Sequence, residues 1–355
     1  MTRRVMVMAG GTGGHVFPAL AVARYLKDAG HQVTWMGTLR GLEARLVPEA
    51  GFVIDWLSVA GFRGKHGFGL IKAPFLLLWA CVQAASILRR RKPDLVIGMG
   101  GFVAGPGGFM AWLMRIPLVI HEQNTIPGTT NRLLARLASQ VLEAFPGTFK
   151  HSVGAIWTGN PVRAEIVEVF AAADEEIAAE KACILILGGS QGARRLNQSL
   201  PRVFGALRRK VEIFHQTGAR MQEETRAAYQ ALAVEARVVA FVEDMSAAYR
   251  WADLVICRAG AMTVSELAIS GLPSILVPFP FAIDDHQTRN AQFLVEAGAA
   301  LLVPESEDLE RDLSAALNGL LDDVSRIRRM AKAASALARP EATRVVAEYC
   351  LGGVA

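Results

Sequence analysis

The 355-residue chain lacks the groups that mark several common kinds of protein. Its four cysteines, Cys81, Cys183, Cys257 and Cys350, form no C-x-x-C pair and no zinc-ligand spacing. A disulfide scaffold or structural zinc site is therefore not expected, and reduced cysteines of a cytosolic protein are the plain reading. No Asp-x-Asp occurs, so the paired acids that often hold a nucleotide diphosphate through a metal ion are missing. The glycine-rich stretch "GGTGGHV" has no following Lys-Ser/Thr and is not a P-loop. It also lacks the third glycine of the dinucleotide fingerprint near Val16, which disfavours a nicotinamide oxidoreductase. The amino terminus runs straight into a strand, so no signal peptide is expected.

What is present is a long, apolar chain with uneven charge. At 52% hydrophobic and 20% charged residues, 355 positions exceed one ordinary core and suggest two α/β domains. Residues 1–163 carry 18 Lys/Arg against 7 Asp/Glu, a net +11, while residues 164–355 carry 20 against 26, a net −6. A basic first half points to an anionic partner surface, either nucleic acid or acidic lipid.

"VMAGGTGGHVFPALAVARYL", residues 5–24, reads as a buried strand, a glycine-rich turn and a helix. Such a turn lets the backbone approach a ligand and aims helix N–H groups at an anion, although a tight strand-to-helix connection needs the same glycines. His15 sits at the helix start. The positive dipole end favours a neutral imidazole able to take a proton; a helix cap or a core histidine would also suit the position.

The chain contains a diverged duplication. "DLVIGMGGFVAG" at Asp94 resembles "DLVICRAGAMTVSE" at Asp253, an offset of 159, and Asn131 and Asn290 recur at the same offset. "VMAGGTGGH" has a counterpart in "ILILGGSQGAR". Strands are expected near 3–9, 32–37, 94–98, 117–121, 140–144 and 155–157, then near 183–187, 211–215, 237–241, 253–257, 274–277 and 300–303, with helices between. Alternation of this kind implies α/β architecture: two Rossmann-like, doubly wound parallel-sheet domains facing a cleft. The expected division is 1–160 and 161–339, with a helix at about 340–355 packing back on the first domain.

In the second half, Gly260 ends a strand, and Ala261, Met262 and Thr263 offer N–H groups for phosphate. Glu266 lies one turn further on. It can accept ribose hydroxyls or simply stabilise its own helix. Arg163 at the hinge is a cation able to neutralise a diphosphate, Ser190 sits in the second glycine-rich turn, and His286-Gln287 follow another strand within reach of a sugar. Residues 71–94 place Phe75, Leu76, Leu78, Trp79 and Val82 ahead of Arg89, Arg90, Arg91 and Lys92. The stretch is too short to span a bilayer. It reads as an interfacial segment whose aromatics enter the membrane surface while arginines meet anionic head groups, or as a sheet-covering helix with a basic end.

Six motifs in order, "GGTGGHVFPALAVA", "GMGGFVAGPGGFMA", "HEQNTIPGTTN", "GNPVR", "GGSQGAR" and "CRAGAMTVSELA", resemble the MurG family over essentially the whole chain. The resemblance implies an inverting, metal-independent glycosyltransferase of the GT-B fold, without cofactor or nucleic-acid partner. Such an enzyme moves N-acetylglucosamine from UDP-N-acetylglucosamine to the C4 hydroxyl of N-acetylmuramic acid in undecaprenyl-diphospho-muramoyl-pentapeptide. It would work peripherally on the cytoplasmic face of the bacterial plasma membrane, in peptidoglycan precursor synthesis. His15 is then the catalytic base. The donor set is Thr12, Gly13, Gly14 and Asn124 from the N-terminal side, with Arg163 and Ser190 at the diphosphate, Val242 at uracil, Ala261, Met262, Thr263, Val264, Ser265 and Glu266 at phosphate and ribose, and Gln287 at the sugar. The first glycine-rich turn faces the acceptor's diphosphate, and Phe75, Trp79, Arg89, Arg90 and Arg91 face the anionic membrane. One departure is His286-Gln287, where the family often has Gln-Gln. The alternatives are a UDP-N-acetylglucosamine 2-epimerase, which needs no lipid, and a non-catalytic membrane-binding scaffold.

Overall fold

The computed structural model describes residues 1–59, 68–171, 181–189 and 193–352. They divide into two compact units, Met1–Arg163 with Glu341–Ala355, and Ala164–Pro340. The first alternates β1 (Arg4–Met8), α1 (Gly13–Asp28), β2 (Gln32–Gly37), α2 (Glu43–Glu49), β3 (Val53–Trp56), α3 (Phe68–Arg91), β4 (Leu95–Gly98), α4 (Ala104–Leu113), β5 (Leu118–Glu122), α5 (Thr129–Leu134), β6 (Gln140–Glu143) and β7 (Ile156–Trp157). Its seven strands are all parallel, in the order β3-β2-β1-β4-β5-β6-β7.

The second unit runs α6 (Ala164–Ala171), β8 (Ala182–Leu187), α7 (Arg194–Gly205), β9 (Val211–Gln216), α8 (Gln222–Ala231), β10 (Arg237–Val239), α9 (Met245–Trp251), β11 (Leu254–Cys257), α10 (Ala261–Ile269), β12 (Ser274–Leu276), α11 (His286–Glu296), β13 (Ala300–Leu302), α12 (Leu309–Leu321) and α13 (Val324–Ala336). Its order, β10-β9-β8-β11-β12-β13, repeats that of the first sheet. In each sheet the strand order reverses beside the first strand, so the loops after β1 and β4, and after β8 and β11, meet where open α/β sheets bind ligands.

A sheet buried on both faces needs strands apolar on both. β1 shows how: Val5 and Val7 pack into one cluster with Leu20 and Ala23 of α1, while Met6 and Met8 pack into the other with Ala84 and Leu88 of α3 and Ala104 and Ala111 of α4. The last helix, α14 (Ala342–Cys350), sets Val346, Ala347 and Cys350 into the α1 side of this first core. The first segment of the first unit ends at Arg163; Pro161 and Val162 just before it are buried, and Thr343 Oγ1 donates to Val162 O. β3 was not expected from the sequence. Its "VIDW" breaks the apolar run, yet Asp55 is 6% exposed because Arg90 and Arg91 of α3 both bind it, at 2.6 and 2.7 Å.

The duplication is visible atom by atom. Asp94 Oδ2 accepts the Arg4 N–H at 2.8 Å, and Asp253 Oδ2 accepts the Cys183 N–H at 2.8 Å. Each aspartate's own N–H donates to the carbonyl of the same partner, also at 2.8 Å. Asn131 and Asn290 are both buried, with their side-chain NH2 groups holding His121 O and Ala259 O. The cysteines are unbridged, and burial pushes the thiols of Cys257 and Cys350 up to about 12, which suits packing rather than reactivity.

Candidate active site

In the first unit the glycine-rich turn after β1 is built around a carboxylate. Glu43 is fully buried and accepts the Gly11 N–H at 2.9 Å, the Thr38 N–H at 3.0 Å and the Thr38 hydroxyl at 2.7 Å. A Cβ at Gly10 would lie 2.5 Å from Glu43 Oε1. Part of the turn's anion-binding capacity is thus occupied by the protein's own acid, a partner the sequence reading did not name. The helix start itself, Thr12, Gly13 and Gly14, has no side-chain cap on its N–H groups.

His15 follows in the first turn of α1, partly exposed. Its ring lies against the second glycine turn, since a Cβ on Gly100 (φ +95) would come within 2.6 Å of Nδ1. Gly101 (φ +84) in turn lies against the Gly10 backbone. "GGTGGH" and "GMGGF" therefore interlock, which is why both need glycine. His15 Nδ1 lies 2.9 Å from Gln123 Oε1. Gln123 is buried and continues to His121, whose Nε2 lies 3.0 Å from Gly159 O. Burial drives His121 down to about 4, against the bond to Gly159 that works the other way.

Asn124, expected to line the ligand side, is partly engaged by the fold: its N–H and side-chain NH2 donate to Glu122 Oε1 at 3.1 and 3.2 Å. Buried Glu122 also accepts from Gly128 N–H and from Asn131 Nδ2, so one carboxylate shapes the whole "HEQNTIPG" loop.

In the second unit, α10 starts after Gly260 without an N-cap side-chain bond or an acid in its first turn, so among the described residues no cap covers the N–H groups of Ala261, Met262 and Thr263. Val264 is buried and can contribute only backbone; the Ser265 hydroxyl donates to Ala261 O. Glu266 Oε2 accepts the hydroxyl of buried Tyr249 at 2.9 Å. A carboxylate has about four lone-pair sites, so ribose hydroxyls would share it with Tyr249. Gln287 Oε1 accepts the Phe279 N–H at 2.9 Å, which fixes the oxygen end of its amide. His286 opens α11, after Asp284 and Asp285 in left-handed conformations. Val242 lines a cavity of about 730 Å³ together with Phe214, Arg237, Phe241, Asp244 and Trp251. There Arg237 stacks over Phe214 at 4.2 Å, and Phe214 meets Trp251 edge-on. The second glycine turn is stitched by Gln216, which binds Gly189 through both amide atoms and Ala240 O through Nε2. Ser190 lies outside the described residues, and Arg163, partly exposed, ends the first segment of the first unit. Among the described residues no group of three or more His, Cys, Asp or Glu side chains is arranged to hold a metal.

The apolar-basic segment is the first unit's most unusual surface. Phe75, Leu76, Leu77, Leu78 and Trp79 are all exposed, Phe75 at 74%, before Ala80 begins to bury. α4, which packs against α3, adds exposed Phe109, Trp112 and Leu113, which sequence reasoning missed because its periodicity resembles a buried helix. Arg89 is exposed. Arg90 and Arg91 are committed to Asp55, although Arg90 remains mostly in solvent. No helix among the described residues is long and apolar enough to cross a membrane.

Two successive all-parallel units of this order make up the GT-B fold. Residues 5–143 match the glycosyltransferase family 28 N-terminal domain and residues 183–346 its C-terminal domain. A UDP-N-acetylglucosamine–N-acetylmuramyl-(pentapeptide) pyrophosphoryl-undecaprenol N-acetylglucosamine transferase of Methylococcus capsulatus is 59% identical, with 99% of each chain covered. The crystal structure of Acinetobacter baumannii MurG superposes with a TM-score of 0.86 at 40% identity, covering 99% of this chain and 100% of that one. A UDP-N-acetylglucosamine 2-epimerase from Neisseria meningitidis shares the fold alone, at 14% identity and a TM-score of 0.69 over 99% of this chain and 100% of that one. The chain belongs to glycosyltransferase family 28 and, within it, to the MurG family.

Proposed function

We propose that this glycosyltransferase transfers N-acetylglucosamine from UDP-N-acetylglucosamine to the C4 hydroxyl of N-acetylmuramic acid in undecaprenyl-diphospho-muramoyl-pentapeptide, with inversion and without a metal. The observation that carries the chemistry is His15, presented beside an uncapped helix start with Nδ1 held by Gln123. Its Nε2 takes the proton of the acceptor hydroxyl. The hydroxyl oxygen attacks the anomeric carbon as the bond to the β-phosphate breaks, so the α-linked donor yields a β-1,4 product and UDP. General-base catalysis of this kind contributes roughly 10²–10⁴-fold.

The helix start at Thr12, Gly13 and Gly14 turns N–H groups to the acceptor's diphosphate and, with Asn124, lines the donor from the N-terminal side. On the donor side the uncapped start of α10, Arg163 and Ser190 stabilise the departing diphosphate, Val242 meets uracil through its backbone, Glu266 accepts from ribose, and Gln287 turns its NH2 to the sugar. The exposed aromatics of α3 and α4, with Arg89 and the remaining solvent face of Arg90, support peripheral binding to anionic lipid on the cytoplasmic face, where a polyprenyl-linked acceptor resides.

The test is UDP release from UDP-N-acetylglucosamine with and without a lipid-linked muramoyl acceptor. Release that requires the acceptor, with a β-1,4 disaccharide product in metal-free buffer, supports the reading. Formation of the manno epimer without acceptor would replace it with epimerase chemistry, and absence of any turnover would favour a scaffold.

A further inference from the structure

The buried chain behind His15 has a direction, and it follows from which atoms can only accept. Gln123 is buried, and its Nε2 lies 3.1 Å from the backbone carbonyl of His121. A carbonyl oxygen accepts and never donates, so the amide nitrogen must be the end that faces it; a flipped amide would set two acceptors against each other. The other end, Oε1, is then the atom 2.9 Å from His15 Nδ1. An amide oxygen also only accepts, so His15 carries its proton on Nδ1. The second N–H of Gln123 points to His121 Nδ1 at 3.1 Å, which must accept it. The proton of His121 therefore sits on Nε2 and goes to Gly159 O at 3.0 Å. Gly159 has φ +81, a conformation glycine adopts freely, and its carbonyl also takes the Thr158 hydroxyl. Every donor in the line has one acceptor, from His15 through Gln123 and His121 to Gly159.

We infer that Gln123 is a positioning residue that pins the His15 proton to Nδ1 and so leaves Nε2 as the basic nitrogen, with His121 locking the orientation of the Gln123 amide. The inference rests on the reading of His15 as the base, and it assigns to the "HEQN" and "GNPVR" motifs a part that their loop and boundary positions did not suggest. Burial supports it. His121 stays neutral well below ordinary histidine titration, so it can go on accepting from Gln123 while His15 cycles through its charged form. When His15 gains a proton on Nε2, the Nδ1–H bond to Gln123 becomes charge-assisted and strengthens along the polarisable chain. A neutral amide supplies this orientation without a second full charge beside the acceptor's diphosphate.

The test reads tautomers directly. Long-range proton–nitrogen correlation spectra of the full chain labelled with ¹⁵N-histidine distinguish protonated from unprotonated ring nitrogens, with signals assigned through His15→Asn and His121→Gln. The expected wild-type pattern is His15 protonated on Nδ1 and His121 protonated on Nε2. Either histidine in the opposite tautomer overturns the inference, without any variant having to be active. Gln123→Leu should release His15 to a mixture and lower kcat by roughly 10- to 100-fold with the donor KM changed less than about twofold. Gln123→Glu can still accept from Nδ1–H but sets an acceptor against His121 O and Nδ1, so it should keep the His15 tautomer and more of kcat than Gln123→Leu while moving the His121 proton to Nδ1. Equal losses in both variants with the His15 tautomer unchanged in both would reduce Gln123 to a packing residue and overturn the inference. If His15→Asn retains kcat while the wild-type tautomers are as expected, the base assignment fails and the hydrogen-bond order stands, so the two failures are distinguishable.

Discussion

The two units are built to one plan and put it to different uses. Each has the same strand order, the same aspartate gripping the first strand, and a buried neutral histidine. In the first unit that histidine, His121, is wired outward to His15 through Gln123. In the second, His215 is closed off: Nδ1 meets the Tyr229 hydroxyl and Nε2 meets Asn197 Oδ1, both inside the core. The charges differ as well, +11 against −6 over residues 1–163 and 164–355, and the large exposed apolar helix face belongs to the first unit. A shared architecture thus sets where loops converge, while individual side chains decide what each unit encloses there and what it exposes on its surface.

The sharpest way to test the contrast is to separate kcat from donor affinity. His15→Asn keeps a polar side chain but cannot take a proton at neutral pH. It should lower kcat by at least about 10²-fold with donor binding, read by titration of UDP-N-acetylglucosamine, nearly intact. Near wild-type turnover would make His15 a cap. Glu266→Ala in the second unit should do the reverse, raising the donor KM by a factor corresponding to about 1.5–3 kcal/mol for a lost charge-assisted bond. Tyr249→Phe should move the same parameter in the same direction by less, because Tyr249 holds Glu266 rather than the donor. An unchanged donor KM in both variants would remove Glu266 from the ribose.

The surface contrast predicts that binding to acidic vesicles depends on the first unit. Phe75→Ser with Trp79→Ser should reduce co-sedimentation with acidic vesicles severalfold, and Trp112→Ser should add to the loss. Salt should weaken the wild type, since charges are screened over about 8–10 Å at physiological strength. Equal affinity for neutral and acidic vesicles would leave only the apolar part.

The buried histidines should register in stability against pH. Burial holds His121 at about 4 and His215 at about 3, below the unfolded value near 6.5, so the unfolded chain binds more protons between these limits. Their stabilising effect is complete above about pH 6.5 and declines as pH falls towards 4, on the order of a few kcal/mol for each. Urea midpoints between pH 7 and 5 should therefore fall more steeply for wild type than for His215→Gln. Only the matching His121→Gln change should also lower kcat; an equal effect of both on turnover would erase the distinction between the units.

The smallest expected effect contrasts the two aspartates. The Arg4 side chain and N–H hold Asp94 below its ordinary value, whereas burial raises Asp253. Asp94 should therefore lose stabilising effect as pH falls below about 4, while Asp253 loses it as pH rises through its raised value. Asp94→Asn and Asp253→Asn should change acid stability in opposite directions in a denaturation series around that pH.

Much of this was legible in local pattern. The alternation of strands with helices, the duplicated "DLVI" segments and the position of His15 at a helix start follow from periodicity and glycine placement, which act over a few residues. β3 was not legible, because what makes its aspartate tolerable in a sheet is a pair of arginines 35 and 36 residues away. Glu43 and Glu122 were missed for the same reason: each is a buried acid whose partners, backbone N–H groups and polar side chains, only the folded turn brings together. The exposed aromatics of α4 were not singled out, since composition does not say which side of a helix is covered.

By itself, then, the order of residues determined two parallel α/β units, their glycine turns and the helix starts behind them, because secondary structure answers to spacing within one or two turns of chain. The tertiary structure alone decided which polar groups those turns enclose. His15, Gln123, His121 and Gly159 are separated by up to 144 positions in sequence, and donor and acceptor can be told apart only once folding has set each of them within hydrogen-bond distance of the next.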